Sequence, residues 1–272
     1  MMKTVREEKA GDFILRLLCS PMGEHKGIVV KPKGGTLGPF AGPDADTVWT
    51  RLQNEAARAN GAYIGFDAAR LRFESFFPDG FTDVQYMADE RTYKLAAKAS
   101  LDTNAPLDAA RHGTGYGPAA LAAFKRTNLL SPFEIVKLPA LLNGPSADAF
   151  IQAAAAFAIE GSDTALQAMR HVAKPHDCAK WTVLTYLPFL WRPEAHMFLK
   201  PGVTTDFAAR TGHPFAHTYR PNLDIEVYRS LQHLAADTTT RLAPLGPRDR
   251  IDVQGFIFVV GGYTEQDVRG PL

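Results

Sequence analysis

Cysteine is scarce in this chain: two in 272 residues, Cys19 and Cys178, separated by most of the sequence. The scarcity excludes a disulfide framework and predicts a reducing, cytosolic compartment. Long apolar runs are missing as well. The stretch from Phe13 to Cys19 is broken by Arg16, and nothing approaches the ~18 uninterrupted apolar residues of a membrane span. Neither a secretory signal nor membrane association is expected. An excess of one charge is also absent, since 30 Lys and Arg balance 29 Asp and Glu to leave a formal +1. That balance removes the global electrostatic case for nucleic acid and leaves only a local basic face. There is no repeat of solenoid period, and no P-loop, His-Glu-x-x-His, Cys-x-x-Cys, EF-hand or Gly-x-Ser-x-Gly motif. No cofactor is therefore expected.

Hydrophobic residues make up 46% of the chain and charged ones 22%, so a sizeable core is expected. The length allows one large domain or two intimate subdomains. Helix signals dominate, and the fold class expected is mainly α with a small irregular or β-containing N-terminal part. The division expected is an N-terminal segment plus first helix over residues 1–60 and a helical core over 61–272. Within the first 43 residues, Gly27 to Lys31 is strand-like. The turn-rich Pro32 to Pro43 holds four Gly and three Pro, so this region is a small β element or a flexible arm.

Helix starts are predicted at Asp44 or Asp46, at Thr82 or Asp83, at Ser146, at Asp163 and at Asp224, each a capping residue ahead of an apolar periodic stretch. Ser131-Pro132-Phe133-Glu134 combines a cap, a proline suited to the first turn and a glutamate that reaches back to the cap. Trp181 to Leu190 is apolar enough to cross the core, with an interruption at Pro188. Phe256 to Val260 is a strand or a buried helix starting at Asp252.

Candidate chemistry concentrates in two segments. Trp191 to Pro201 places Glu194, His196 and Lys200 just after a core element, on a proline-punctuated loop of the kind that carries sites. Arg248 to Gln254 alternates charges ahead of a buried run, with Asp252 as a helix cap or a carboxylate at a cleft mouth. Glu90, Arg91 and Lys94 lie on a predicted helix, where Glu90 and Lys94 have the spacing of a surface ion pair. His171, His176 and Cys178 are metal-ligating types without a recognised spacing, so no metal is expected. The loop His112 to Gly117 reads as an interhelical turn, or as a phosphate-holding helix start.

Phe77-Pro78-Asp79-Gly80-Phe81, Glu90 to Lys94, Thr127 to Leu130, His196 to Pro201 and Arg250 to Gln254 together resemble the landmarks of an uncharacterised family of bacterial proteins. That resemblance implies no activity. A second, local one runs from Pro175 to Pro201, where a hairpin, Trp181-Thr182, an apolar helix and Phe198-Leu199-Lys200-Pro201 are similar in order to helix-hairpin-helix DNA glycosylases. It implies a helical protein that flips a base out of duplex DNA and breaks the glycosidic bond. The family's catalytic aspartate would fall near Gly202, with Asp206 the next carboxylate. This leaves Lys200 as the candidate amine nucleophile, with His196 and Asp252 beside it as catalytic candidates. Trp181, Tyr186 and Trp191 would then supply stacking surface, and Glu90, Arg91, Lys94 and Gln254 further binding groups. Two function classes follow: a DNA-acting protein, active or an inactive relative, and a non-catalytic adaptor for a protein partner or a homodimer.

Overall fold

The computed structural model describes residues 2–10, 13–31, 34–59 and 63–264. The chain is mainly helical, as its capping and periodicity predict, and begins with a four-stranded antiparallel sheet. It divides into two compact units. One joins Met1–Ala69 to Thr205–His217, and the other joins Arg70–Thr204 to Thr218–Leu272.

In the first unit, strands β1 (Lys3–Ala10), β2 (Phe13–Cys19), β3 (His25–Val30) and β4 (Thr36–Gly42) pair in sequence order. Phe13, Leu15 and Leu17 point to one face because side chains alternate along a strand. With Val29 they pack on Val48, Trp49, Leu52 and Ala56 of the helix Ala45–Ala59. Asp44 starts that helix by accepting from the Thr47 amide at 2.7 Å. The N-terminal region is thus a sheet rather than an arm. Asn60-Gly61, whose sequence predicts the stop of the helix Ala45–Ala59, lies outside the described residues.

In the second unit two predicted caps recur: Asp83 accepts from the amides of Gln85 and Tyr86, and Asp224 caps Ile225–Arg241. The helix Asp163–Ala173 starts where expected, but its capping side chain is the preceding Ser162, and Ser146 precedes Ala147–Glu160 without a side-chain capping bond. Glu134 accepts from the Ser131 amide at 2.8 Å, completing the predicted box, but that helix is only Pro132–Ile135. A fresh one starts at Leu138 with Pro139 in its first turn, where a missing N–H breaks no bond. Gly161 ends Ala147–Glu160 in a left-handed conformation that costs glycine little.

Two expectations are corrected here. Trp181 to Leu190 forms two short helices, Trp181–Leu184 and Tyr186–Trp191, broken at Thr185 and not at Pro188. The Thr185 hydroxyl donates back to Trp181 O and accepts from the Leu199 amide, which stitches the break to the following loop. The last helix, Arg250–Gly262, is capped by Asp249, not Asp252.

Gly117 opens the helix Gly117–Lys125 against the end of Leu138–Leu142, where a Cβ would fall 1.9 Å from Leu142 O. Gly117→Ala should therefore separate these helices and cost about 1–3 kcal/mol in urea unfolding. An unchanged midpoint would show that the contact relaxes freely.

Candidate functional site

The site is built on a widened turn. Met87–Arg91 is π-helical between Val84–Tyr86 and Thr92–Asn104. A π turn inserts an extra residue into the helical repeat, so adjacent side chains that would diverge can both face inward, and such turns recur at functional sites. Here Glu90, Arg91 and Lys94 are all buried, Lys94 completely. This corrects the expected solvated face, on which the Glu90–Lys94 pair would have been a minor surface contact.

Asp252, also completely buried, is the hub. Its Oδ1 accepts from the Tyr86 hydroxyl at 2.8 Å, Arg91 Nη1 at 2.9 Å and Arg248 Nη2 at 2.9 Å. Its Oδ2 accepts from the Arg248 amide at 2.9 Å and Arg248 Nε at 2.8 Å. Arg91 forms a second, two-pronged pair with Asp249 at 2.8 and 2.7 Å. Burial by itself pushes the Asp252 carboxyl up, but the Arg248 bonds, the Arg91 charge and the Tyr86 hydroxyl together hold it below its ordinary value. Gly255 makes the Tyr86 contact possible, since a Cβ there would lie 2.7 Å from the hydroxyl.

Lys94 Nζ meets Glu90 Oε2 at 3.0 Å, and Glu90 Oε1 accepts from the Tyr263 hydroxyl at 2.8 Å. Burial lowers the Lys94 ammonium from its usual value while the Glu90 charge raises it, and the lowering prevails. Burial, then the charge of Glu90, pushes the Tyr93 phenol well up.

Beside these pairs runs a crevice lined by Tyr93, Asn128, Leu129, Lys200, Gln254 and Phe258. It is nowhere wide enough for a water molecule. Lys200 Nζ stands over the Phe258 ring, 5.1 Å from its centroid. Gln254 is 3% exposed, and its buried Oε1 has no hydrogen-bond partner among the described residues. A buried amide oxygen left unpaired is costly, and the side chain that carries it lines the crevice.

The other residues singled out by sequence lie elsewhere. Burial lowers the His196 imidazole. Its Nε2 donates to Ala158 O at 2.9 Å, which fixes the tautomer and leaves Nδ1 to accept from the Tyr228 hydroxyl at 2.7 Å. Trp181, Tyr186 and Trp191 are core side chains whose polar atoms reach the carbonyls of Arg220, Ala123 and Ala105. His176 meets the Ser146 hydroxyl, and no group of three His, Cys, Asp or Glu side chains that could hold a metal occurs among the described residues. In the glycine-rich loop the Gly115 amide is already taken by the Asp148 carboxylate at 2.7 Å.

No family model, curated protein or solved structure matches the chain. Among the described residues no helix is long and apolar enough to cross a membrane. The reading of the site therefore rests on its own geometry. That geometry brings together Glu90, Lys94 and Tyr263, then Arg91, Asp249 and Asp252, and in the crevice Lys200 and Gln254. Sequence reasoning did not place Tyr86, Asn128, Phe258 or Tyr263 in the site. Asn128 lay within the landmark segment Thr127 to Leu130, and Tyr86 carried a signal as well, lying three residues after the capping Asp83 and so in the first turn of a predicted helix.

Proposed function

We propose that the second unit binds nucleic acid and holds one unstacked base in the crevice between Tyr93, Gln254 and Phe258. The observation that carries this reading is the buried, unpaired oxygen of Gln254, a side chain lining a slot bordered by two aromatic rings and an ammonium. Planar heteroaromatic rings stack on such rings and present the N–H donors or acceptors that an amide edge reads. Lys200, on a flexible four-carbon stem, is the lining side chain that moves aside to admit the ring. Exposed Lys125 and Arg126, immediately upstream of the crevice-lining Asn128, supply local positive charge for phosphates although the whole chain is nearly neutral.

Binding without glycosidic cleavage is favoured, because both oxygens of Asp252 and of Glu90 are committed to buried hydrogen bonds. Neither carboxylate is free to activate water.

Fluorescence anisotropy on matched, mismatched and abasic duplexes in low salt tests the reading. Mismatched or abasic duplex should bind more tightly, since unstacking costs less there. Gln254→Leu should abolish that preference while leaving stability unchanged or raised by about 1 kcal/mol, because it removes an unpaired buried polar group. Failure of the wild type to bind any duplex sinks the proposal. Release of free base by the wild type, lost in Lys200→Ala, would overturn its non-catalytic half. A protein adaptor is the second reading, favoured by Phe133 and Val136, which are 82% and 72% exposed and close together in sequence.

A further inference from the structure

A separate, open pocket of about 210 Å³ is lined by Glu194, Thr239, Pro247, Arg248, Asp249 and Arg250. Most charges around it are matched. Arg248 is paired with Asp252, Asp249 with Arg91, and Glu194 with Arg192. Arg250 is the exception: half-buried, it makes no ion pair among the described residues, and its guanidinium has one weak bond, from Nη1 to the Thr239 hydroxyl at 3.3 Å. Four arginines (91, 192, 248 and 250) against three carboxylates (194, 249 and 252) leave one uncompensated positive charge, and it belongs to Arg250.

We propose that this pocket binds a phosphate group, with the Arg250 guanidinium as its anchor. A guanidinium presents a planar fork of donors that matches two phosphate oxygens at once, so an unmatched, partly buried one is a ready partner for that group. Burial lowers Arg250 from its usual value, and the Tyr228 phenol raises it only in part. No carboxylate relieves the desolvation, so an incoming anion recovers interaction that the fold leaves unmade. The start of the helix Arg250–Gly262 adds a favourable dipole, although Asp249 already accepts from its Ile251 and Asp252 amides. Glu194 and Asp249 do not repel the ligand as bare charges, because each carries its own arginine. The phosphate can be a free phosphate or phosphomonoester, or one of a nucleic-acid backbone.

Isothermal titration of the whole chain with inorganic phosphate tests the site without reference to the base crevice. Saturable binding is expected, weakened about tenfold or more in Arg250→Gln and less in Arg250→Lys, which keeps the charge but loses the fork. Arg229→Gln, at an exposed pair with Glu226, should leave it unchanged. Absence of saturable binding by the wild type overturns the proposal even if a variant fails to fold, as does equal binding by a folded Arg250→Gln. Undamaged duplex that displaces the phosphate supports the site with a backbone source, and duplex that does not displace it supports the site with a free phosphate source.

Discussion

Asp252→Asn is expected to lower the stability of the second unit by about 3–5 kcal/mol, because it leaves the buried guanidinium of Arg91 and the Arg248 head without their shared negative charge. The carboxylate is completely buried and accepts five hydrogen bonds, two of them from the amide and Nε of Arg248. An amide of the same shape presents one acceptor where two stood, and its NH₂ group confronts donors. The urea midpoint should fall accordingly, whereas Tyr86→Phe should cost only about 1–2 kcal/mol, the worth of one bond to a charged group.

The pH dependence has a definite sign. Asp252 sits below its ordinary value in the folded chain, so its contribution is fully present above the unfolded carboxylate range and is lost as pH falls through the folded value. Wild-type stability should drop below about pH 4, and the Asp252→Asn curve should lack that part of the step. Parallel acid curves for the two proteins would refute the assignment.

The second large effect is a rescue. Lys94→Met alone should cost about 3–5 kcal/mol, since Glu90 would keep a buried charge with only the Tyr263 hydroxyl against it. Adding Glu90→Gln removes that charge, and the double variant should recover most of the loss. Residues in direct contact are expected to be this non-additive, and a double-mutant cycle measures the coupling. Equal losses in the single and double variants would show that Lys94 contributes packing alone. Glu90→Gln by itself should also destabilise, through the stranded ammonium of Lys94.

The contrast between these residues explains how much of the site was legible beforehand. Glu90 and Lys94 stand four apart on a helix, a spacing that serves a solvated face and a buried pair equally well. What separates the two is the packing of the Arg250–Gly262 helix against the π turn, between residues far apart in the chain. Asp252 was recognised as cap or cleft carboxylate, yet the cap is Asp249, three residues earlier, and both fit the local pattern of a carboxylate ahead of a helix. Lys200 and Gln254 were singled out separately; that they line one crevice depends on contacts between residues more than fifty positions apart. His196 carried the same sequence signal as Lys200 and lies in the core with both ring nitrogens engaged.

By itself the sequence determined the mainly helical class and several helix caps, because hydrogen bonds between a side chain and the nearest amides are local and leave a mark within four residues, whereas it left the N-terminal part open between a β element and an arm. Asp44, Asp83, Ser131 and Asp224 are each such a mark. Only the tertiary structure decided that Met87–Arg91 widens into a π turn, that Tyr86, Arg91, Arg248 and Asp252 form one network, and that Arg250 is left unmatched. A carboxylate next to arginines in sequence is usually solvated. Whether it is stripped of water, and which arginine reaches it, depends on elements that approach through space, and that approach fixes the charge balance of both the crevice wall and the Arg250 pocket.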